Sequence, residues 1–299
     1  MKGIITNIQR FSLTDGDGIR STVFFKGCNL SCTWCHNPET IKRNPELMFY
    51  ETKCISCGKC FETCPKGAHK LVDGKHIIDR KVCVNCGKCA SVCYAEALVM
   101  CGKEMTVSEV LAEVIQDKAY YDTSCGGVTL SGGEILCQKD FAIALSEELK
   151  KEGIHVAIET NLCFSFDYAK ELLEKVDFVM CDLKIWDDEL HTKYAGAGNS
   201  HIIENIKKLD KAGTPFIVRT PLIPGATDDE KNIENIANFI KTLKNLKRYE
   251  ILNYNPLGEG KYKALDACNN FESARPFGKE KLDKISALLD KIGLDYKII

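Results

Sequence analysis

Apolar and polar positions alternate along most of this chain in two different periods. Apolar residues that recur every three or four positions predict amphipathic helices, and short runs of β-branched and aromatic residues between them predict strands. The predicted helices are 106–120, 139–152, 166–175, 202–212, 228–243 and 279–291. The predicted strands are 4–10, 19–26, 127–131, 154–159, 177–183, 216–222, 248–253 and 294–298. Strands that alternate with helices in this way predict a parallel sheet.

Local signals mark the ends of several of these elements. Thr106 and Glu109 have the spacing of a capping box at the start of a helix. Gly213 follows a predicted helix, where a left-handed residue often ends the last turn. Three acidic residues at 228–230 suit the positive end of a helix dipole. These signals support the predicted order of strands and helices.

The number of strand–helix units decides between two architectures. If the strand at 19–26 is counted as the first, the chain has about six units, fewer than the eight that close a full barrel. We therefore expect an α/β fold with an open, partial (β/α)6 TIM-like barrel. A doubly wound open sheet is the alternative.

The composition changes between residues 49 and 100, where two blocks of cysteines interrupt the pattern. Residues 54–65 read C-x2-C-x2-C-x3-C-P, and residues 83–93 repeat the cysteine spacing, with Tyr94 in place of the proline. This spacing is typical of [4Fe–4S] ligands. Such a short segment buries little apolar surface, so bound clusters are expected to form its core. We predict a barrel of residues 1–48 and 101–299 with an insert at 49–100; paired zinc sites are the alternative.

A third group of cysteines follows the predicted strand at 19–26. Cys28, Cys32 and Cys35 have C-x3-C-x2-C spacing. A [4Fe–4S] cluster normally takes four cysteines, so three ligands from one loop leave one iron open to a small molecule. The alternative is a zinc knuckle completed by His36. The repeated iron–sulfur spacing elsewhere in the chain favours the cluster.

Composition and charge limit the possible partners, the cellular location and the roles of the cysteines. The chain has 299 residues, 17 cysteines and a net charge of −2, and this small charge argues against a nucleic-acid partner. Residues 1–10 lack the pattern of a signal peptide, and no apolar run approaches the roughly 18 residues of a membrane span. We expect a cytoplasmic protein without a membrane partner, in an anaerobic setting. Disulfides do not persist in the cytoplasm, so clustered cysteines in a cytoplasmic protein indicate metal ligands. The isolated cysteines are expected to be buried small apolar groups. The isolated cysteines are Cys101, Cys125, Cys137, Cys163, Cys181 and Cys268.

The first cysteine group resembles the signature of radical S-adenosylmethionine (SAM) enzymes. Trp34 stands directly before Cys35, as an aromatic residue does in that signature. The flanking segments 15–20 and 36–39 resemble those of the activating enzymes of glycyl radical enzymes. The resemblance covers nearly the whole chain and implies the same partial barrel. Residues 54–93 resemble a two-cluster bacterial ferredoxin.

This resemblance implies SAM and three [4Fe–4S] clusters as cofactors. The first cluster would be held by Cys28, Cys32 and Cys35. In the ferredoxin pattern the fourth cysteine of each block crosses to the other cluster. One ferredoxin-like cluster would therefore take Cys54, Cys57, Cys60 and Cys93. The other would take Cys64, Cys83, Cys86 and Cys89. These two clusters would pass electrons inward, and a purely structural role is the alternative.

The remaining site residues are expected at the carboxyl ends of the strands, where a barrel binds its ligand. By resemblance, residues 131–134 would hold the SAM amino group and residues 34–36 would lie against its adenine or ribose. Lys184 and Arg219 suit the SAM carboxylate or ribose. The full set of expected SAM contacts is Trp34, Cys35, His36, Gly132, Gly133, Glu134, Thr160, Asp182, Leu183, Lys184, Arg219 and Asn255.

Three positions indicate which subgroup of these activating enzymes the chain resembles and which kind of glycyl radical enzyme would be its partner. Asn255 stands where many of these activating enzymes have a histidine, and Asp17 stands where proline is usual. By resemblance, Asp15 would lie near the entering glycine loop of the partner. The insert and Asn255 argue against formate lyase as that partner. They favour a decarboxylase, a dehydratase, or a carbon–sulfur or carbon–nitrogen lyase.

The activity that this resemblance implies is a one-electron reaction. The first cluster would reduce SAM, the carbon–sulfur bond would break, and the 5′-deoxyadenosyl radical would remove hydrogen from a backbone glycine of a glycyl radical enzyme. No catalytic side chain is then required. A low-potential donor such as flavodoxin or ferredoxin would supply the electron, and a monomer is expected. The alternatives are a radical SAM enzyme that acts on a small molecule and a ferredoxin-like electron carrier.

Overall fold

The computed structural model describes residues 1–299. Its strands are β1 (Lys2–Ser12), β2 (Arg20–Phe25), β3 (Glu46–Phe49), β4 (His69–Val72), β5 (Lys75–Ile78), β6 (Leu98–Cys101), β7 (Lys103–Thr106), β8 (Gly127–Gly132), β9 (Val156–Thr160), β10 (Phe178–Asp182), β11 (Phe216–Leu222), β12 (Leu246–Asn253) and β13 (Tyr296–Ile298). Its α-helices are α1 (Lys59–Thr63), α2 (Lys88–Ser91), α3 (Val107–Val114), α4 (Lys118–Ser124), α5 (Lys139–Lys151), α6 (Phe166–Leu173), α7 (Asp188–Ala195), α8 (Ser200–Ala212), α9 (Glu230–Ile240), α10 (Glu259–Leu265) and α11 (Lys279–Ile292).

One nine-stranded sheet, in the order β13-β12-β11-β10-β9-β8-β2-β1-β7, forms the body of the fold. From β2 through β8 to β13, every neighbouring pair is parallel and follows chain order. Right-handed crossovers that always advance in one direction place their helices on the same face of the sheet. The order never reverses, and β7 and β13 do not pair with each other. The predicted open, partial barrel is therefore confirmed, and the doubly wound alternative is wrong.

Two antiparallel strands extend the sheet beyond the parallel part. β1 pairs with β2 on one side and with β7 on the other. The sequence predicts only the middle of β1 and does not predict β7, because four residues of mixed polarity carry little periodicity. These strands place residues 13–19 between β1 and the first parallel strand.

The predicted helix at 106–120 is wrong as a single element. α3 ends at Val114, a 3-10 turn follows at Ile115–Asp117, and α4 continues to Ser124. The predicted capping box is confirmed: the Thr106 hydroxyl accepts from the backbone N–H of Glu109, and the Glu109 carboxylate accepts from the backbone N–H of Thr106. The sequence did not predict α7 or α10, which are short and largely polar.

Alternation along the parallel strands separates two faces of the sheet. Val179 and Val218 face the main core, which the helices cover. Their neighbours Met180 and Ile217 belong to a small apolar cluster on the opposite face. The same period of two carries Asp182 and its register partner Arg219 to that second face, at the carboxyl ends of β10 and β11. Polar side chains of the parallel strands therefore converge on one end of the inner face.

The cysteine-rich insert contains two small antiparallel sheets and two short helices. β3 pairs with β6, and β4 pairs with β5. The β3–β6 pair joins the two chain positions where the insert leaves and rejoins the barrel. Buried Lys26 contacts Glu46 of β3 at 3.1 Å, and Arg80 donates to the Ala264 carbonyl at 2.9 Å. These contacts fix the insert against the barrel.

Two of the isolated cysteines do not meet the sequence expectation. Cys101 and Cys181 are buried, and Cys137 and Cys163 are partly buried. Cys125 and Cys268 are exposed, so the expectation of buried groups is wrong for both. Both lie in irregular segments at the end of a helix. None of the helices is long and apolar enough to cross a membrane.

Candidate active site

A cavity of about 490 Å³ opens at the carboxyl ends of the parallel strands. Its size is that of a small-molecule site, and its position is the one where barrels bind ligands. Ten of the twelve expected SAM contacts line it together with all three cysteines of the first group. The ten are Trp34, Cys35, His36, Gly132, Gly133, Thr160, Asp182, Lys184, Arg219 and Asn255. Glu134 and Leu183 do not line the cavity.

The three thiols of the first group lie on one wall of this cavity. Cys28 Sγ accepts from the backbone N–H of Leu30 at 3.4 Å and from Asn161 Nδ2 at 3.9 Å. Burial raises the pKa of Cys35 to about 12 and also raises the pKa of Cys28 and Cys32. Such thiols stay protonated without a metal, whose binding releases the protons. Three free sulfurs with N–H donors on one wall fit an iron–sulfur cluster with an open iron.

Backbone hydrogen bonds hold the cysteine loop in place from two sides. The N–H of Cys28 donates to the Ile41 carbonyl at 2.9 Å. The N–H groups of Ser31 and Thr33 donate to the carbonyls of Ala195 and Tyr194, each at 2.9 Å. These carbonyls belong to the end of α7, so a helix that the sequence did not predict anchors the loop.

Trp34 lies under the loop in an apolar cluster of its own. It is buried with Ile185, Ile223 and Tyr254, and its ring makes an edge contact with Phe271 at a centroid distance of 6.1 Å. The indole therefore forms part of the cavity floor and fixes the loop that carries Cys35.

Two glycines at the end of β8 bring the backbone close to the cysteine loop. Gly132 has φ +111°, and a Cβ there would lie 2.4 Å from the backbone nitrogen of Phe25. A Cβ at Gly133 would lie 2.3 Å from the Gly27 carbonyl oxygen. No side chain fits at either position, which explains the glycine pair physically. The bare backbone of both residues forms part of the cavity wall.

Glu134 lies beneath this wall and does not reach the cavity. Its carboxylate accepts from the backbone N–H of Leu136 at 3.1 Å, the Thr160 hydroxyl at 2.9 Å and the backbone N–H of Asn161 at 2.7 Å. Burial raises the pKa of Glu134 to about 7, and these three donors oppose that shift. The carboxylate therefore ties β8 to the end of β9, which is a different role from the expected contact with an ammonium group.

Lys184 and Asp182 supply paired opposite charges to the cavity. Lys184 Nζ lies 2.5 Å from Asp182 Oδ2, with most of the lysine side chain buried. Burial lowers the pKa of Lys184, but Asp182 and the cysteine sulfurs outweigh this and raise it overall. Leu183, between them, points into the main hydrophobic core. The alternation of the strand explains why Leu183 is not a cavity residue.

Arg219 is held in an internal network. Its Nε donates to Glu250 at 2.8 Å, one terminal nitrogen contacts Glu159, and the other donates to the Thr14 carbonyl at 3.0 Å. Burial lowers the pKa of Arg219, and the two carboxylates more than offset that shift. All three nitrogens have partners, so Arg219 shapes the cavity and holds the turn at residue 14.

His36 and Asn255 occupy the opposite rim. The Asn255 side chain accepts from the backbone N–H of Leu257 at 3.0 Å and so caps a short 3-10 turn. Burial lowers the pKa of His36, and the cation of Lys261 lowers it further. His36 is therefore a neutral imidazole near pH 7, facing the cavity beside an amide.

Asn161 is a cavity residue that the sequence analysis did not single out. Its amide donates to Cys28 Sγ and to Asn29 Oδ1, the latter at 2.9 Å. The signal that could have found it is its position directly after Thr160, at the end of a predicted strand. Asp15 also lines the cavity, and its carboxylate accepts from the hydroxyls of Ser12 and Thr22, both at 2.6 Å.

Each of the two ferredoxin-like ligand sets lines a cavity within the insert. Cys54, Cys57, Cys60 and Cys93 line a cavity of about 320 Å³. Cys64, Cys83, Cys86 and Cys89 line a second, smaller one. Cys89 lies at both cavities and is their only shared residue. The fourth cysteine of each block thus reaches the other block's site, as the ferredoxin resemblance implies.

Comparison with known families agrees with the geometry. The profile of the radical SAM superfamily matches residues 84–249. A profile described as a 4Fe-4S single cluster domain matches residues 14–70. The fold also resembles the solved structure of a domain of pyruvate-formate lyase-activating enzyme from Bacteroides vulgatus. The TM-score is 0.50 at 27% identity, over 58% of this chain and 99% of that domain.

Curated relatives cover almost the whole chain. Benzylsuccinate synthase activating enzyme of Thauera aromatica is 42% identical over 277 residues, which span 90% of this chain and 83% of that protein. Trans-4-hydroxy-L-proline dehydratase activating enzyme of Clostridioides difficile is 36% identical, over 100% of this chain and 99% of that protein. The chain belongs to the radical SAM superfamily and, within it, to the activating enzymes of glycyl radical enzymes. It is therefore an enzyme that uses an iron–sulfur cluster and SAM.

Proposed function

We propose that this chain activates a partner glycyl radical enzyme by removing hydrogen from one backbone glycine of that partner. Cys28, Cys32 and Cys35 would hold a [4Fe–4S] cluster, which would supply the one electron needed to break the carbon–sulfur bond of SAM and so to give the 5′-deoxyadenosyl radical. The observation that carries this proposal is the meeting of three free thiols and the strand-end polar groups in one cavity. The relatives' names support a protein partner.

The residues around the cavity would bind and orient SAM. The Lys184 cation suits the SAM carboxylate, and the Asp182 carboxylate suits its ammonium group. The backbone of Gly132 and Gly133 allows the ligand to approach closely. Trp34 and His36 would lie near the nucleoside, with Asn255 on the same rim. Glu134 would act indirectly, because it holds Thr160 and Asn161.

The open side of the barrel would admit the partner's glycine loop. Thr14 and Asp15 line the cavity from the segment between β1 and β2. Asp15 is fixed there by two hydroxyl donors, and Arg219 fixes the carbonyl of Thr14. A backbone substrate needs a path into the site, and removal of a hydrogen atom by a radical needs no general base.

The insert would hold two further [4Fe–4S] clusters on its two sets of four cysteines. Each set lines its own cavity, which supports separate clusters. Cys57 and Cys86 are exposed, so an external donor could approach both clusters closely. We propose that residues 49–100 receive electrons from a low-potential protein such as flavodoxin or ferredoxin and pass them to the barrel.

The test is anaerobic reconstitution followed by reaction with SAM and candidate partner enzymes. Electron paramagnetic resonance (EPR) should detect a glycine-centred doublet on the correct partner. Cys32→Ala should abolish both the doublet and 5′-deoxyadenosine, whereas Cys268→Ala, at an exposed cysteine outside all three sets, should not. With a small artificial reductant, Cys57→Ala should leave SAM cleavage partly intact. SAM cleavage that survives in Cys32→Ala would refute the site, and cleavage without any doublet would favour a small-molecule substrate.

A further inference from the structure

Two histidines connect the two cysteine sites of the insert. His76 lines the cavity of Cys54 and Cys60, and His69 lines the cavity of the other set. His69 Nδ1 and His76 Nε2 are 2.9 Å apart, which is a hydrogen bond. His76 Nδ1 lies 3.9 Å from Cys54 Sγ. A continuous row of polar contacts therefore runs from one imidazole to the other and on to a ligand sulfur.

The imidazole pair breaks the internal symmetry of the insert. His69 follows Cys64 by five residues, as Leu98 follows Cys93 in the second block. In the β4–β5 pair His69 is opposite Ile78, and in the β3–β6 pair Leu98 is opposite Phe49. His76 and Leu47 each stand two residues before those partners. The second half thus has buried Leu47 and Leu98 where the first half has two imidazoles.

Packing and electrostatics select the tautomer of the pair. The His76 ring packs against Phe49 and Phe61, at centroid distances of 4.4 and 4.9 Å, so its orientation is fixed. His76 Nδ1 faces Cys54 Sγ at 3.9 Å, whereas His76 Nε2 lies 2.9 Å from His69 Nδ1 and 4.0 Å from Cys60 Sγ. A bare ring nitrogen facing a thiolate would place a lone pair against a negative charge, whereas an N–H there is attracted to it. His69 Nδ1 is the nearer partner of Nε2, and an N–H there engages the Nε2 lone pair. The arrangement that leaves no lone pair directed at a sulfur therefore has the His76 proton on Nδ1, with His76 Nε2 as the acceptor and His69 Nδ1 as the donor.

We propose that His76 donates a hydrogen bond from Nδ1 to the thiolate of Cys54 and that His69 holds it in this tautomer. Hydrogen bonds to ligand sulfurs favour the reduced, more negative cluster and so raise its reduction potential. The cluster on Cys54, Cys57, Cys60 and Cys93 would then have a higher potential than its partner, because the imidazole contacts to sulfur go to Cys54 and Cys60. This inference rests on the proposed function, because it requires both insert clusters.

The experiment is an EPR-monitored potentiometric titration of the reconstituted protein. His76→Leu supplies the residue that the symmetry-related position has, and His76→Asn keeps an N–H near the place of Nδ1. We expect His76→Leu to lower the potential of one insert cluster, to leave the other unchanged, and to remove an exchangeable-proton coupling in electron–nuclear double resonance. His76→Asn should restore most of both signals. His201→Leu, at an exposed histidine on α8, is the matched control and should change neither.

The possible outcomes separate this inference from the proposed function. Wild-type protein with iron and sulfide for a single cluster would refute the three-cluster proposal, and this inference with it. Wild-type protein with three clusters whose potentials are unchanged in His76→Leu would refute the inference alone. If His76→Leu loses iron, the variant His69→Leu tests the proposal instead. It keeps the His76 ring but removes the His69 imidazole that holds His76 in the proposed tautomer. An unchanged potential and proton coupling in His69→Leu would then overturn the proposal.

Discussion

The change Glu134→Gln tests whether this carboxylate supports the site or binds the ligand. Its Oε1 accepts from the backbone N–H of Leu136 and the Thr160 hydroxyl, and its Oε2 accepts from the backbone N–H of Asn161. A glutamine can keep its oxygen on the Oε1 side, but its NH₂ group must then face the Asn161 N–H. The buried N–H of Asn161 therefore loses its acceptor, and the glutamine NH₂ group places a second donor next to it.

The magnitude follows from that single lost acceptor. A buried donor left without a partner destabilises the fold by roughly 1–3 kcal/mol. For a chain of 299 residues, 1 kcal/mol corresponds to about 2 °C in Tm, so Glu134→Gln should lower Tm by about 2–6 °C. Asn161 also donates to Cys28 Sγ, so the cysteine loop should loosen as well.

The assay combines anaerobic thermal unfolding with the change that SAM causes in the EPR spectrum of the reduced cluster. We expect a lower Tm for Glu134→Gln and a SAM response that survives with weaker affinity. Glu152→Gln, at an exposed glutamate at the end of α5, is the control and should match the wild type. An unchanged Tm together with a lost SAM response would refute the reasoning, because it would make Glu134 a direct ligand.

Three further changes test the wall glycine, the connection to the insert and a buried imidazole. Gly132→Ala adds a Cβ at φ +111° against backbone, and it should reduce the yield of folded protein and lower stability by roughly 3 kcal/mol or more, measured by Tm. Lys26→Met leaves Glu46 with a weaker partner, so it should destabilise by about 3 kcal/mol and make the insert boundary sensitive to limited proteolysis. Burial, with no partner for the buried Nε2, lowers the pKa of His191 below 6.5, and the hydrogen bond from Nδ1–H to the Ala197 carbonyl at 2.5 Å offsets only part of this shift. Its contribution to stability is complete above pH 6.5 and is lost as the pH falls below that value, so His191→Asn should flatten this part of the profile of Tm against pH.

Each of these changes has a matched control in the chain. Gly260→Ala adds a Cβ within α10 where no atom lies within 4 Å, and it should not lower Tm, because alanine favours a helix over glycine. Lys42→Met removes the exposed partner of Glu46, so its effect should be a small fraction of that of Lys26→Met. His201→Asn should leave the pH profile of the wild type intact. If Gly132→Ala and Gly260→Ala had equal effects on Tm, the argument on the wall glycine would be wrong, and equal effects of Lys26→Met and Lys42→Met would contradict the argument on the buried lysine. A Tm of the wild type that does not change with pH below 6.5 would contradict the argument on His191.

The strands were predictable because their apolar runs are long and their ends carry turn signals. The first and third residues after such an end face the same side, which is why Asp182 and Lys184 both line the cavity and Leu183 does not. The sequence analysis expected all three as contacts because it considered the motif as a unit. Applying the strand period of two to residues 182–184 would have removed Leu183 from the expected SAM contacts.

The roles of charged residues were harder to predict than their positions. Glu134 and Arg219 both lie at strand ends, as expected, but each is saturated by partners more than twenty residues away in sequence. Local pattern contains no information on such long-range pairs, because they depend on the register of neighbouring strands. α7 escaped prediction for a related reason: its sequence is polar, and its main role is to offer carbonyls to the cysteine loop.

The sheet order explains how one molecule can combine a reactive cavity with an entry path for a protein substrate. A closed barrel would protect the cavity on all sides, whereas here the sheet ends at β7 and β13 without joining them. Two sets of buried contacts add rigidity around this opening: Glu134 joins β8 to β9, and Arg219 joins β11 to β9, β12 and the turn at Thr14. Among these contacts, the bond from Arg219 to the Thr14 carbonyl is the one that reaches the segment between β1 and β2. Glu134 and Arg219, which the sequence analysis assigned to the ligand, thus help to keep an open site in shape.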